Sequence, residues 1–146
     1  MLFWRISKYR DLRGSGAEIS SGCWNIPGPR MVYMAENPAG ALLEICAHTP
    51  AESVPKSYTL LKIVAPDVPS EEIGMAALPT DWTQKPEITQ QIGADWLKSQ
   101  NTAILRVPSA PVPETTNYLL NLHHPDASQF HIDRTYKYPF DLRPIS

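Results

Sequence analysis

Glu44 lies inside an otherwise apolar helical stretch, Ala41-Leu42-Leu43-Glu44-Ile45-Cys46, downstream of a Gly/Pro-rich loop and a short strand. An acid in that setting reads as the floor of a pocket, where a carboxylate stabilises positive charge as it develops on a bound molecule. The segments before it, Gly22-Cys23-Trp24-Asn25 and Met31-Val32-Tyr33, belong to the same pocket; Val107-Pro108-Ser109 and Thr116-Asn117-Tyr118-Leu119-Leu120-Asn121 read as its other wall. Tyr33 offers an aromatic face and a hydroxyl to hold a ring or a ribose. Ser109 and Asn117 bring hydrogen-bonding groups, and Arg5 brings a cation suited to phosphate.

Each of these residues also has a purely structural reading. Glu44 and His48 stand one helical turn apart and suit an i,i+4 pair. Tyr33 fits a core position on a strand, Ser109 a turn beside Pro108, Asn117 a cap and Arg5 a surface ion pair. Cys23 invites comparison with a cysteine nucleophile served by a histidine. His123, His124, Asp126, His131 and Asp133 are close in sequence but lack the paired spacings of a structural zinc site, so no metal is expected. Trp4, Trp24, Trp82 and Trp96 read as packing residues.

The elements that must position these groups fit one domain, residues 1–146, a length able to bury roughly 68–70% of its unfolded surface. A hydrophobic fraction of 42% and a charged fraction of 19% are those of an ordinary globular protein. The net charge of -2 and pI near 6.1, with signs mixed along the chain, leave no basic stripe and argue against direct nucleic-acid binding. No apolar run approaches the ~18 residues of a membrane span, and the first residues read as a strand rather than a signal peptide. Two cysteines, Cys23 and Cys46, make no disulfide framework and point to a reducing cytoplasm. The 15 prolines imply many short elements joined by fixed turns.

Residues 2–6 form a candidate first strand. Gly14, Gly16 and Gly22 punctuate a polar loop that can approach a ligand closely, and residues 31–34 make a short strand. Asn37-Pro38 is a helix start, with Asn as N-cap and Pro at the first helical position. That helix is expected to run to about His48, to be closed by Pro50 and to be largely buried. Residues 57–65 are the clearest strand. Residues 66–85 read as irregular, with a turn of helix near Glu71-Glu72. A second helix opens at Pro86-Glu87 and carries Ile88, Ile92 and Trp96 on one apolar face. Strands follow at 102–107 and 130–136, with a proline-broken loop after the first. The mixture predicts an α+β fold without repeats.

Gly22-x-Trp24-Asn25, Val32-Tyr33, Ala41-Leu42-Leu43-Glu44 with His48, Val107-Pro108-Ser109, and Asn117-Tyr118-Leu119-Leu120-Asn121 with His124-Pro125 resemble the RES domain. The opening Trp4-Arg5-Ile6-Ser7 and closing Phe140-Asp141-Leu142-Arg143 fit it too, so the resemblance spans nearly the whole chain. It implies a toxin of a type II toxin–antitoxin pair that consumes NAD⁺ as substrate. It also implies a fold like that of ADP-ribosyltransferases, with a mixed sheet flanked by helices, and an antitoxin partner carrying an Xre-like helix-turn-helix domain. The family's Glu and Ser correspond to Glu44 and Ser109. Its Arg, expected in Gly-Arg-Trp-Asn, is replaced by Cys23, which cannot grip a phosphate bidentately. The chain is then either a naturally weakened variant or an inactivated one, and the second reading is favoured.

On this resemblance Glu44 would stabilise an oxocarbenium-like ribose as the nicotinamide–ribose bond breaks. Nicotinamide departs as a neutral base, so no general acid is needed. Tyr33, Ser109, Asn117 and Arg5 would hold ring, ribose, carboxamide and phosphate, with Cys23 in the phosphate-binding position. Water, inorganic phosphate and a protein side chain all remain open as acceptors, with phosphorolysis or hydrolysis favoured over protein modification. The alternative is a RES-like module without chemistry that mainly binds its antitoxin.

Overall fold

The computed structural model describes residues 1–7, 10–14, 22–48, 51–53 and 55–140. Within these residues seven strands form one mixed sheet: β1 (Leu2–Ile6), β2 (Met31–Ala35), β3 (Ser57–Val64), β4 (Ser70–Glu72), β5 (Ile104–Pro108), β6 (Thr116–Asn121) and β7 (His131–Pro139), in the order β4-β5-β6-β2-β1-β3-β7. Among the described strands only the β4–β5 pair is parallel. Among the described residues two α-helices, α1 (Pro38–His48) and α2 (Pro86–Ser99), join the sheet in the α+β architecture expected from the chain. None of the described helices is long and apolar enough to cross a membrane.

The period-2 alternation of side chains sorts the strands onto two cores. Phe3, Val32, Met34, Leu61, Ile63, Ile104 and Leu120 pack together on one face, where Phe3 stacks on Phe130 and meets the edge of Tyr118. Met31, Leu105, Val107 and Leu119 face the other way and pack with Trp24, Trp82, Trp96 and Leu97. Tyr33 joins that second cluster, while Ala35, two residues on and so on the same face, packs with Ala41 of α1. Both helices therefore lie on the face that Tyr33 and Ala35 share, and a cleft opens between them.

Asn37 caps α1, its Oδ1 accepting from the Gly40 N–H at 2.7 Å. The helix is less buried than expected: Ala41 is covered, but Leu42, Leu43, Glu44, Ile45 and Cys46 are half-buried. It rests on β1 and β2, and Ala41, Glu44 and Ile45 line the cleft. The expected closure by Pro50 and the Gly16 turn lie outside the described residues, as do Asp141, Leu142, Arg143 and the His48 side chain.

Glu71-Glu72 belongs to β4 rather than to a helical turn. Parallel pairing with Leu105 and Arg106 supplies hydrogen bonds that no local pattern announces. In α2 the buried stripe is Thr89, Gly93, Trp96 and Leu97, with Ile88 and Ile92 only partly covered. Gly93 decides this orientation. A Cβ there would lie 1.8 Å from the Trp24 carbonyl oxygen, so glycine lets the helix settle directly on the Trp24 backbone. Trp96 Nε1–H is satisfied by Thr102 Oγ1 at 3.1 Å, and that hydroxyl in turn donates to the Ile104 carbonyl at 2.8 Å.

Candidate active site

The cleft has a volume of about 760 Å³ and takes its walls from β1, the 22–24 segment, β2, α1 and the start of α2. Arg5, Cys23, Tyr33, Glu44 and Asn117 all line it. These five residues span more than a hundred positions of sequence, and the strand order brings them together. Asn117 pairs with Ala35 on one side and Val107 on the other, so β6 stands between the strand that leads into α1 and the strand that ends beside Ser109.

Glu44 is held by two donors on one oxygen. Ser109 Oγ–H donates to Oε1 at 2.6 Å and Asn117 Nδ2–H to the same atom at 2.8 Å. Hydrogen bonds to an ionised acceptor are the strong ones, and two of them set the carboxylate's position as well as its energy. Ser109 itself is 1% exposed and does not line the cleft. Its backbone N–H is tied to the Thr115 carbonyl at 2.9 Å, which fixes the hydroxyl behind the acid.

Tyr33 presents its ring to the cleft, while its hydroxyl donates to Asn25 Oδ1 at 2.5 Å and accepts from the Trp24 N–H at 3.1 Å. Burial pushes its pKa well above the ordinary tyrosine value. Arg5 Nη1–H donates to the Tyr33 carbonyl at 2.9 Å. Burial lowers the Arg5 pKa, with Asp11 and Tyr33 opposing the shift, and a guanidinium that starts so high remains a cation. It is the only Lys or Arg lining the cleft among the described residues. The Cys23 thiol is pushed up first by burial and then by the Glu44 charge. It is neutral at physiological pH, so it supplies neither a thiolate nucleophile nor a positive charge.

Motif reading did not assign Thr89 and Gln90. Thr89 Oγ1–H donates to the Cys23 carbonyl, and Gln90 Nε2–H donates to the Gly22 carbonyl at 3.0 Å, so α2 clamps the turn that bears Cys23. Gln90 also lines the cleft. Nothing in their local sequence signals this, because both contacts span more than sixty residues. In the histidine-rich segment, His124 Nδ1 accepts from the Asp126 N–H at 3.0 Å and so caps a short 3-10 turn. Among the described residues no three His, Cys, Asp or Glu side chains converge as a metal site.

The RES domain family model matches residues 2–141. Toxin Res of Pseudomonas putida is 42% identical over 129 residues, covering 87% of this chain and 88% of its own. This chain belongs to the RES-domain toxin family. The Prs ADP-ribosylating toxin of a Sphingobium species is 38% identical over 154 aligned positions, covering 98% of this chain and 96% of its own. The crystal structure of the M. tuberculosis MbcT–MbcA toxin–antitoxin complex contains a chain of the same fold. Its TM-score is 0.78 at 18% identity, covering 94% of this chain and 84% of that one. The RES domain here thus joins the expected α+β fold to a cleft in which an acid, an aromatic ring and a cation converge.

Proposed function

We propose that this RES-domain protein is the toxin of a toxin–antitoxin pair and that its cleft cleaves the nicotinamide–ribose bond of NAD⁺. The observation that carries this reading is the Glu44 carboxylate, held by Ser109 and Asn117 in a cleft of about 760 Å³ beside Tyr33 and Arg5. As the C–N bond breaks, its electron pair leaves with nicotinamide and positive charge grows on the ribose carbon. A fixed carboxylate next to that carbon stabilises the charge without reorganising, which is where electrostatic catalysis is strongest. The Tyr33 ring offers a face for the planar leaving group or the ribose, and Arg5 attracts the pyrophosphate.

Two acceptors complete the reaction in balance. Water gives ADP-ribose, nicotinamide and a proton; inorganic phosphate gives ADP-ribose 1″-phosphate and nicotinamide. The name of the Sphingobium relative adds transfer to a protein as a third arm for the assay. An antitoxin partner, expected to be of the Xre-like helix-turn-helix kind, is supported by the toxin–antitoxin complex of the M. tuberculosis neighbour. The Cys23 thiol, neutral and raised in pKa by burial and by Glu44, favours impaired chemistry in this chain, since an Arg there would supply the second cation. The second reading, a module that mainly binds its antitoxin, draws on the same observation.

The deciding assay follows NAD⁺ loss by mass spectrometry for the chain as it stands, for Cys23→Arg, and for Cys23→Arg with Glu44→Gln, each with and without phosphate. Turnover in the arginine form that vanishes with Glu44→Gln supports the enzyme reading, and the product identifies the acceptor. Full turnover in the Glu44→Gln form would overturn the role given to the acid. No turnover in any folded form would leave the binding module.

A further inference from the structure

Among the cleft residues, Tyr33 has a hydroxyl already engaged on both sides. It donates to Asn25 Oδ1 at 2.5 Å and accepts from the Trp24 N–H at 3.1 Å, while Asn25, 3% exposed, does not line the cleft. Gly22 and Asn25 close the turn with a backbone hydrogen bond of 3.1 Å. Gly22 also makes room for the pair. A Cβ there would lie 2.7 Å from the Tyr33 hydroxyl and 2.8 Å from Asn25 Oδ1. On the opposite side Thr89 and Gln90 hold the carbonyls of Cys23 and Gly22, and Gly93 lets α2 press onto Trp24.

We propose that Tyr33 and Asn25 form a positioning pair that fixes the 22–25 turn, holding the side chain at position 23 in the wall of the cleft that also bears Glu44, and that only the Tyr33 ring is offered to a ligand. The phenol is thus part of the wall. It neither donates to substrate nor exchanges a proton with it, in keeping with a pKa that burial drives upward. The proposal specifies how the cleft orients whichever residue stands at position 23. It rests on the NAD⁺ reading only for its second readout.

The first readout needs no substrate. In a Cys46→Ser background Cys23 is the sole thiol of the chain. Tyr33→Phe keeps the ring and removes the hydroxyl, and Asn25→Ala removes the acceptor. Each is expected to speed iodoacetamide alkylation of Cys23 by about threefold or more, with the double variant no faster than the quicker single one, as for two residues that act as one unit. Thr89→Val, which releases the Cys23 carbonyl from the other side of the turn, is expected to speed alkylation as well, and circular dichroism confirms that each variant is folded. Unchanged alkylation in both single variants, or rates that multiply in the double, would overturn the pairing.

The second readout is NAD⁺ affinity by calorimetry in the Cys23→Arg form. Tyr33→Phe and Asn25→Ala are each expected to weaken binding about tenfold and the double about tenfold, not a hundredfold. Loss in Tyr33→Phe with full affinity in Asn25→Ala would show the hydroxyl meeting the ligand directly and would overturn the proposal. If the Cys23→Arg form binds no NAD⁺ at all, that result counts against the NAD⁺ reading, and the alkylation rates still decide the pairing.

Discussion

Ser109→Ala isolates the contribution of a residue that supports the acid without reaching the cleft. The substitution removes the 2.6 Å hydrogen bond to Glu44 Oε1 and leaves the 2.8 Å bond from Asn117. A hydrogen bond to a charged group contributes about 1.5–3 kcal/mol. With about 1.4 kcal/mol per factor of ten, misplacing the carboxylate should slow the bond-breaking step about 10- to 150-fold. Ser109 is 1% exposed, so the loss should fall on kcat, with KM for NAD⁺ staying within about twofold. The assay is initial-rate NAD⁺ consumption in the Cys23→Arg form, with thermal melting as a control. Losing that bond to a charged acceptor should cost about 1.5–3 kcal/mol of stability, or roughly 3–12 °C. A KM raised tenfold or more with kcat unchanged would mean that Ser109 holds the substrate itself. Unchanged kinetics would mean that Asn117 alone sets the acid, and either result refutes the reasoning.

Two further outcomes follow from the packing and the charges. Gly93→Ala should destabilise the fold by about 3 kcal/mol, a fall of roughly 6–12 °C in melting temperature, because the new Cβ meets the Trp24 carbonyl at 1.8 Å and the backbone cannot yield cheaply. A melting temperature equal to the parent's would show that α2 does not rest on that carbonyl. Cys23 alkylation should rise with pH only above the ordinary thiol range, since burial and the Glu44 charge both disfavour the thiolate. Glu44→Gln removes the second of these effects, so the rate profile should move to lower pH; a profile that stays put or moves up would place Glu44 too far from Cys23 to influence it.

The chain by itself determined the local elements and the kinds of chemistry available. Asn37 and Pro38 start α1 because a side-chain acceptor and a pre-set φ suit a helix N-terminus, and the β-branched and aromatic run before Ala65 makes β3. The RES motifs singled out Arg5, Cys23, Tyr33, Glu44, Ser109 and Asn117 before any contact was known. What tertiary structure alone decided is how those groups divide their work. β4 exists because β5 lies beside it, and β6, which carries Asn117 and Asn121 within it, becomes a central strand through partners on both sides. The buried stripe of α2 follows Gly93 and Thr89 because the Trp24 backbone approaches there, which apolar periodicity does not encode. Ser109 stands behind Glu44, and the Tyr33 hydroxyl is bound to Asn25, because strand order closes contacts across 65 residues in the first case and orients a short loop against its own strand in the second. Residue type sets what a side chain can do, but the sheet and the helices packed on it decide which neighbour receives its hydrogen bond.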